Sequence, residues 1–485
     1  MAQLTKQSAA EFLEANFETY LSDLKKLVRI PSVSFEGYPA AEVRRSAEAV
    51  ASLLKERGLE NVQILEVPGA HPYVYGERLK APGKPTLLLY AHHDVQPPGR
   101  EELWKTPPFE PTLKAGPGGD RLYGRGTADD KAGVVIHASA VDAYLKTVGE
   151  LPVNVKVVIE GEEETGSAHL PHFLKTYREK LDADVLVLTD TTNFDCGVPA
   201  LTVALRGLVG VEVEVRALTK TVHSGMWGGP VPDPAMALSK MLATLVDDQG
   251  HIAIAGVMDG VKPVRANETE GFRKVPYLEK DFREQSGMIA SAQLLLPDLH
   301  PSQKGESHGH GVSPVIQVWR LPSLTVNAIQ ASSRKSAGNI INDTAWAKVT
   351  IRVTDGMDPE KTLALLKAHL MAKTPWGLET TIKTEACNGA WSTDSSGKAF
   401  EAADRALARG YGKDPLHIGC GGSIPFVKPF ADALGGAPAL LVGVEDPHTN
   451  AHGENESLLV SDLRKACLGQ VHLFAELAAE TFKKH

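Results

Sequence analysis

The sequence predicts an α/β protein in which a mixed, mostly parallel sheet between helices is interrupted by an inserted α+β domain. Three observations predict it. Four short apolar runs, Thr86 to Tyr90, Val153 to Ile159, Val185 to Leu188 and Ala439 to Val442, are separated by helix-like stretches; continuous apolar runs of this length suit buried parallel strands. Val209, Val211, Val213 and Val215 alternate instead with Gly210, Glu212 and Glu214, the period of a strand with one buried and one wet face. After about Asn388 the first pattern returns.

Taken in order, apolar positions at helical spacing predict a helix from about Glu11 to Val28, ended by Ile30-Pro31 because the residue before a proline avoids helical geometry. A second helix runs from Ala41 to Arg57, with Gly58 as its stop. The inserted part continues with a helix from Pro234 to Leu245, strands around Val315 to Trp319 and Trp346 to Val353, a helix from Pro359 to Leu370, and a strand near Thr380 to Lys383. That order describes two helices on an antiparallel sheet. Residues 246–312, rich in Gly, His, Ser and Pro, are predicted to be irregular. The division is therefore residues 1–207 and 388–485 in one domain and 208–387 in the other, as expected when 485 residues exceed what one core organises.

Composition narrows the functional classes. Lys and Arg total 51 against 60 acidic residues, a net charge of −9, which excludes nucleic acid and anionic membrane as main partners. Cys196, Cys387, Cys420 and Cys467 form no CxxC pair, so neither a disulfide framework nor a zinc ribbon is implied. The first residues lack the apolar stretch of a secretory signal and no later run approaches the length of a membrane helix. The expected location is cytoplasmic.

Polar residues stand where the apolar runs end or helices begin: Ala91-His92-His93-Asp94, Ala128-Asp129-Asp130-Lys131, Glu162-Glu163-Glu164-Thr165-Gly166, Leu188-Thr189-Asp190 and Ala451-His452-Gly453-Glu454. Taken singly, each reads as a surface turn, a helix cap or a solvated charge run. Acidic residues are rarely buried unless paired or coordinated, and five such placements at strand ends point to metal. Ligands bind outside the carboxyl ends of such strands. Imidazoles and carboxylates in this number are what two metal ions about 3.5–4 Å apart require to activate a water for amide hydrolysis.

With Leu122-Tyr123-Gly124-Arg125-Gly126, Gly166-Ser167, His223-Ser224-Gly225 and Gly421-Gly422-Ser423-Ile424-Pro425 added, the set resembles the M20 family of metallopeptidases and amidohydrolases over nearly the whole chain. Asp129-Asp130-Lys131 and the Gly-Gly-Ser-Ile-Pro stretch look like its cytosolic nonspecific dipeptidase and carnosinase-like branch. The resemblance implies a zinc-peptidase-like catalytic domain and a ferredoxin-like lid or dimerisation domain. It implies that Asp129 bridges two divalent ions, with His92 and Asp190 completing one site and Glu164 and His452 the other. Zinc is the first expectation; manganese or cobalt suits the same donors. A cis peptide after Asp129 is implied as well. Glu163, next to the ligand Glu164, is the candidate general base, and Asp94 the carboxylate that orients His92. His223 is expected to reach the partner subunit's site in a homodimer formed by the inserted domain. Arg352, Ser423 and Asn339 are candidates for holding the terminal carboxylate of a short peptide substrate, arginine offering a bidentate fork. His93 is set aside because the His-x-Asp register favours His92.

The predicted activity is metal-dependent hydrolysis of dipeptides. Its rivals are an N-acyl amino acid amidohydrolase or carboxypeptidase using the same metals, and a non-catalytic metal-dependent binding protein.

Overall fold

The computed structural model describes residues 7–263, 268, 271, 272, 274–295, 314–422 and 427–482. The described residues form two compact units, the first drawn from 1–203, 393–418 and 426–485, the second from 204–392 and 419–425. These borders stand a few residues from the predicted ones, and Gly419 to Gly422 go with the second unit. Among the described residues no helix is long and apolar enough to cross a membrane.

The main sheet of the first unit includes the strands β1 (Glu60–Leu65), β2 (Tyr73–Arg78), β3 (Thr86–His92), β4 (Asn154–Glu160), β5 (Val185–Thr192), β6 (Ala200–Leu205) and β7 (Ala439–Glu445). They lie side by side in the order β1-β2-β4-β3-β5-β7-β6. The centre is parallel, β4 with β3, β3 with β5 and β5 with β7. The flanks are antiparallel, β1 with β2, β2 with β4 and β6 with β7. Leu87 to Ala91, Val155, Val157 and Val185 to Leu188 are almost fully buried, as expected of strands covered on both faces. The helix Lys131–Thr147 is buried from Lys131 to Ala143, and a helix apolar on all sides belongs inside a core. Each predicted strand extends to the polar residues that follow its apolar run, which places His92, Glu160, Asp190 and Glu445 at one rim of the sheet.

The core of the second unit has the order strand, helix, strand, strand, helix, strand, with shorter helices and strands between them. Its antiparallel sheet runs Ser323–Gln330, Thr344–Val353, Gly207–Arg216, Glu379–Asn388. Val209, Val211, Val213 and Val215 share a core with Leu238 and Met241 of the helix Pro234–Ala243 and Leu363, Leu366 and Leu370 of Pro359–Ala372.

Two expectations are corrected. The stretch Val315 to Trp319 is not a strand: Pro314–Arg320 is a helix, and the strand begins at Ser323. Proline suits a first helical turn, and Val315 and Trp319, four apart, share a helix face; a short apolar run carries too little periodicity to separate the alternatives. The helix predicted from Glu11 to Val28 is two, Ala9–Ala15 and Phe17–Val28. Between them the Asn16 side chain donates to the Phe12 carbonyl at 2.8 Å while its own backbone leaves helical geometry, the local competition for which asparagine is known. Within 246–295 the regular structure among the described residues includes the short helix Glu279–Ser286.

Candidate metal centre

Asp129 lies at the middle of the first unit's polar cluster. It precedes the helix Lys131–Thr147, and the Asp129–Asp130 peptide is cis, as the family resemblance implies. One carboxylate oxygen, Oδ1, lies 3.0 Å from His92 Nε2. The other, Oδ2, lies 3.0 Å from His452 Nε2. Asp190 Oδ1 is 3.7 Å from His92 Nε2, and Glu164 Oε2 is 3.2 Å from His452 Nε2. Glu163 Oε2 stands 4.0 Å from His92 Nε2.

Donor atoms thus gather into two groups of metal-binding size, Asp129 with Glu164 and His452, and His92 with Asp190 and Asp130. Asp130 differs from the rest. Its Oδ1 caps the following helix by accepting the Gly133 N–H, and its Oδ2 accepts the His92 N–H, each at 3.2 Å. Asp129, facing both rings, is the carboxylate whose oxygens point into both groups. Gly133 allows that close packing, because a side chain there would strike Thr189 and Asp130.

Local and long-range contacts hold the residues of the cluster in place. The Asp94 carbonyl lies 3.1 Å from His92 Nδ1; a carbonyl only accepts, so Nδ1 carries a proton and Nε2 is the nitrogen that faces the cluster. The Asp94 carboxylate accepts the backbone N–H groups of Glu163 at 3.2 Å and Glu164 at 3.1 Å, and the Ser34 hydroxyl at 2.7 Å. Gln96 donates to Glu164 through its backbone at 3.0 Å and its amide at 2.8 Å. The buried Glu456 accepts from Gly126, Ala128 and Asp129 N–H and pairs with Arg125 at 2.7 Å. A second buried pair, Arg121 with Asp446 at 3.0 Å, stands at the other end of the loop that carries His452. His93 turns away, its Nε2 bonded to the Pro72 carbonyl at 3.0 Å.

Electrostatics fit cation binding. Burial is the largest influence on the His92 ring and disfavours its charge, yet Asp190, Asp129 and Asp94 outweigh it and raise its pKa well above the usual value. The hydrogen bond to Asp129, then that to Glu164, pushes His452 up to about 11. Burial, then Asp129, raises Glu164 to about 7. Burial, then Asp190, holds Glu163 well above the ordinary carboxylate range. Carboxylates crowded this closely repel one another, and cations among them offset that repulsion.

The remaining candidates belong to the second unit. His223 is exposed; its short strand Val222–His223 pairs with Ile340–Ile341, and the Asn339 carbonyl accepts the Ser224 N–H at 2.9 Å. His223 and Asn339 are therefore neighbours. Arg352 lies in Thr344–Val353, opposite Leu208 and Ser323. Ser423 lies outside the described residues. Arg206, which sequence reasoning missed, is beside Arg352 and donates to the carbonyls of Gly421 at 3.0 Å and Leu321 at 3.3 Å.

The sequence model of peptidase family M20/M25/M40 matches residues 88–476. The chain belongs to this family. It is 30% identical over 462 residues to the cysteinylglycine-S-conjugate dipeptidase of Corynebacterium striatum, covering 94% of this chain and 95% of that one. Among solved structures it resembles the dipeptidase Dug1p of Saccharomyces cerevisiae, with TM-score 0.82, 26% identity and coverage of 98% and 100% of the two chains. It also resembles the metallo-carboxypeptidase Sso-CP2 of Sulfolobus solfataricus, with TM-score 0.80, 26% identity and coverage of 95% and 99%.

Proposed function

We propose that the protein is a cytoplasmic dipeptidase that holds two divalent ions through His92, Asp129, Glu164, Asp190 and His452. The observation that carries the reading is the division of Asp129, one oxygen to each imidazole. Bound there, the ions supply a water made nucleophilic at neutral pH and positive charge for the developing oxyanion. Glu163 takes a proton from that water and delivers it to the leaving amine; its raised pKa suits the first task and its place beside the cluster suits both. Asp94 holds both His92 and the turn that carries Glu163. Zinc fits a donor set of imidazoles and carboxylates, and manganese or cobalt is accepted by the same set. Four free cysteines suit a reducing compartment.

The second unit forms the homodimer in this reading, and the partner subunit's His223 completes each site by donating to the oxyanion. Its Nδ1 accepts the Gly225 N–H at 3.0 Å, so a neutral ring carries its proton on Nε2, the tautomer that donates. Met226 and Trp227 beside it are exposed, the apolar surface a subunit contact would cover. Mixing Glu163→Gln with His223→Ala subunits should restore activity in demonstrated heterodimers; no recovery refutes the shared site. Arg352, with Ser423 and Asn339, grips the substrate's carboxylate.

The likeness to the Sulfolobus carboxypeptidase favours a second reading, a carboxypeptidase or N-acyl amino acid hydrolase with the same centre. A panel of dipeptides, tripeptides and N-acetyl amino acids separates the two: preferential turnover of unblocked dipeptides supports the first, and preference for acylated amino acids or longer peptides the second.

A further inference from the structure

Among the described residues the carboxylates around the metal centre have defined partners with two exceptions, of which Glu163, 4.0 Å from His92 Nε2, is already the proposed base. Asp94 accepts two backbone N–H groups and a hydroxyl. Asp130 takes two N–H groups, and Glu456 three and an arginine. Asp129, Glu164 and Asp190 face imidazoles. Glu445 is the second, and the proposed chemistry gives it no role. It closes β7, in parallel register with Thr192 of β5, the strand that carries Asp190. Its backbone carbonyl is fixed by the Asn193 N–H at 2.8 Å and the Thr192 hydroxyl at 3.3 Å, so its Cα is anchored at the rim where the ligands project. The side chain is half-buried, and Asp129, Asp190, Glu456 and the His452 ring all act on it electrostatically. The described residues give its carboxylate no hydrogen bond or ion pair, and it belongs to neither group of metal-binding size.

A carboxylate drawn out of water among like charges is unfavourable until a cation joins it. A dipeptide brings that cation. Its α-ammonium is two bonds from the carbonyl carbon under attack, so once the scissile carbonyl is at the metal centre the ammonium falls within a few ångströms of it. We infer that Glu445 binds the free α-ammonium of the substrate and so selects unblocked dipeptides over N-acylated amino acids. This assignment rests on the dipeptidase reading. It gives that reading a residue for the amino end, complementary to the arginine proposed for the carboxyl end.

The test compares the wild-type enzyme with Glu445→Gln and Glu445→Asp, using L-Ala-L-Ala as substrate and propionyl-L-alanine, the same molecule without its amino group, as competitor. Bound metal is measured on each protein. A charge-assisted hydrogen bond removed from a binding step costs about tenfold or more in affinity, so Glu445→Gln should raise KM for L-Ala-L-Ala by about that factor with kcat nearly unchanged. Metal content and the inhibition constant of propionyl-L-alanine should stay at wild-type values. Wild-type KM should rise as pH passes about 8, where an α-amino group loses its proton, and Glu445→Gln should lose this dependence. Glu445→Asp, which keeps the charge, should retain the pH dependence. Unchanged KM, or equal weakening of substrate and competitor, overturns the role of Glu445 alone. Absence of wild-type turnover of L-Ala-L-Ala and other unblocked dipeptides, with N-acyl amino acids cleaved, overturns the dipeptidase reading itself.

Discussion

Asp94 joins the two halves of the centre: its carboxylate accepts the backbone N–H of Glu163 at 3.2 Å while its carbonyl receives the Nδ1–H of His92. A proposed strand-end ligand and the turn bearing the proposed base are therefore oriented by one residue. Asp94→Asn keeps the shape but sets an amide N–H₂ against backbone N–H donors. Turnover should fall by about 10–100-fold, the usual effect of losing a carboxylate that supports metal ligands. Steady-state kinetics with metal analysis measures it, and activity within threefold of wild type would show that the turn holds itself.

Glu163 has no ring nitrogen at ligand distance; its nearest, His92 Nε2, is 4.0 Å away. Glu163→Gln should leave both ions bound while kcat drops by about 10²–10⁴-fold, the range for removing a general acid–base group. Loss of metal together with activity would instead make Glu163 a ligand.

His92, Asp129 and Asp190 were legible in the sequence because each stands at the end of an apolar run or just before a helix, whereas Glu164 and His452, in the loops that follow two of the strands, were singled out by the family resemblance. Residues that hold those ligands gave no such local signal. Glu456 braces Gly126, Ala128 and Asp129 across some three hundred residues of chain, a contact set by how two loops meet. Gln96 and Ser34 are ordinary turn residues until folding brings Glu164 and Asp94 to them. The misread of Pro314–Arg320 has another cause, since seven residues hold barely two helical turns and their spacing fits a strand equally well.

Two buried imidazoles make the first unit sensitive to acid. His93 and His137 are fully buried, and burial lowers each pKa from 6.5 to about 4. Because the folded values lie below the unfolded one, the unfolded chain binds more protons between pH 6.5 and 4, and stability falls as pH drops through that window. Each ring contributes up to about 3 kcal/mol to the loss. In metal-free protein, His137→Leu should flatten the fall in urea midpoint between pH 6.5 and 4.5 relative to wild type. Parallel curves for the two proteins would mean that His137 is not held neutral.

Metal binding and proton release are coupled in the opposite sense. Without ions, the carboxylates around His92 and His452 hold both rings protonated at neutral pH, His452 with a pKa of about 11 through its bonds to Asp129 and Glu164. An imidazole binds metal only when neutral, so loading the centre at pH 7 must expel about two protons from these rings, besides the fraction held by Glu164 at a pKa of about 7. Affinity should therefore weaken steadily as pH falls, and a chelator should inactivate the enzyme faster in acid. Calorimetric titration of the chelated protein with zinc, in buffers of differing ionisation enthalpy, counts the protons directly. His452→Ala should lower the count by about one and leave the group around His92 able to take an ion. A wild-type count near zero would mean that these rings are not ligands, and would remove the proposed bridging role of Asp129 between them.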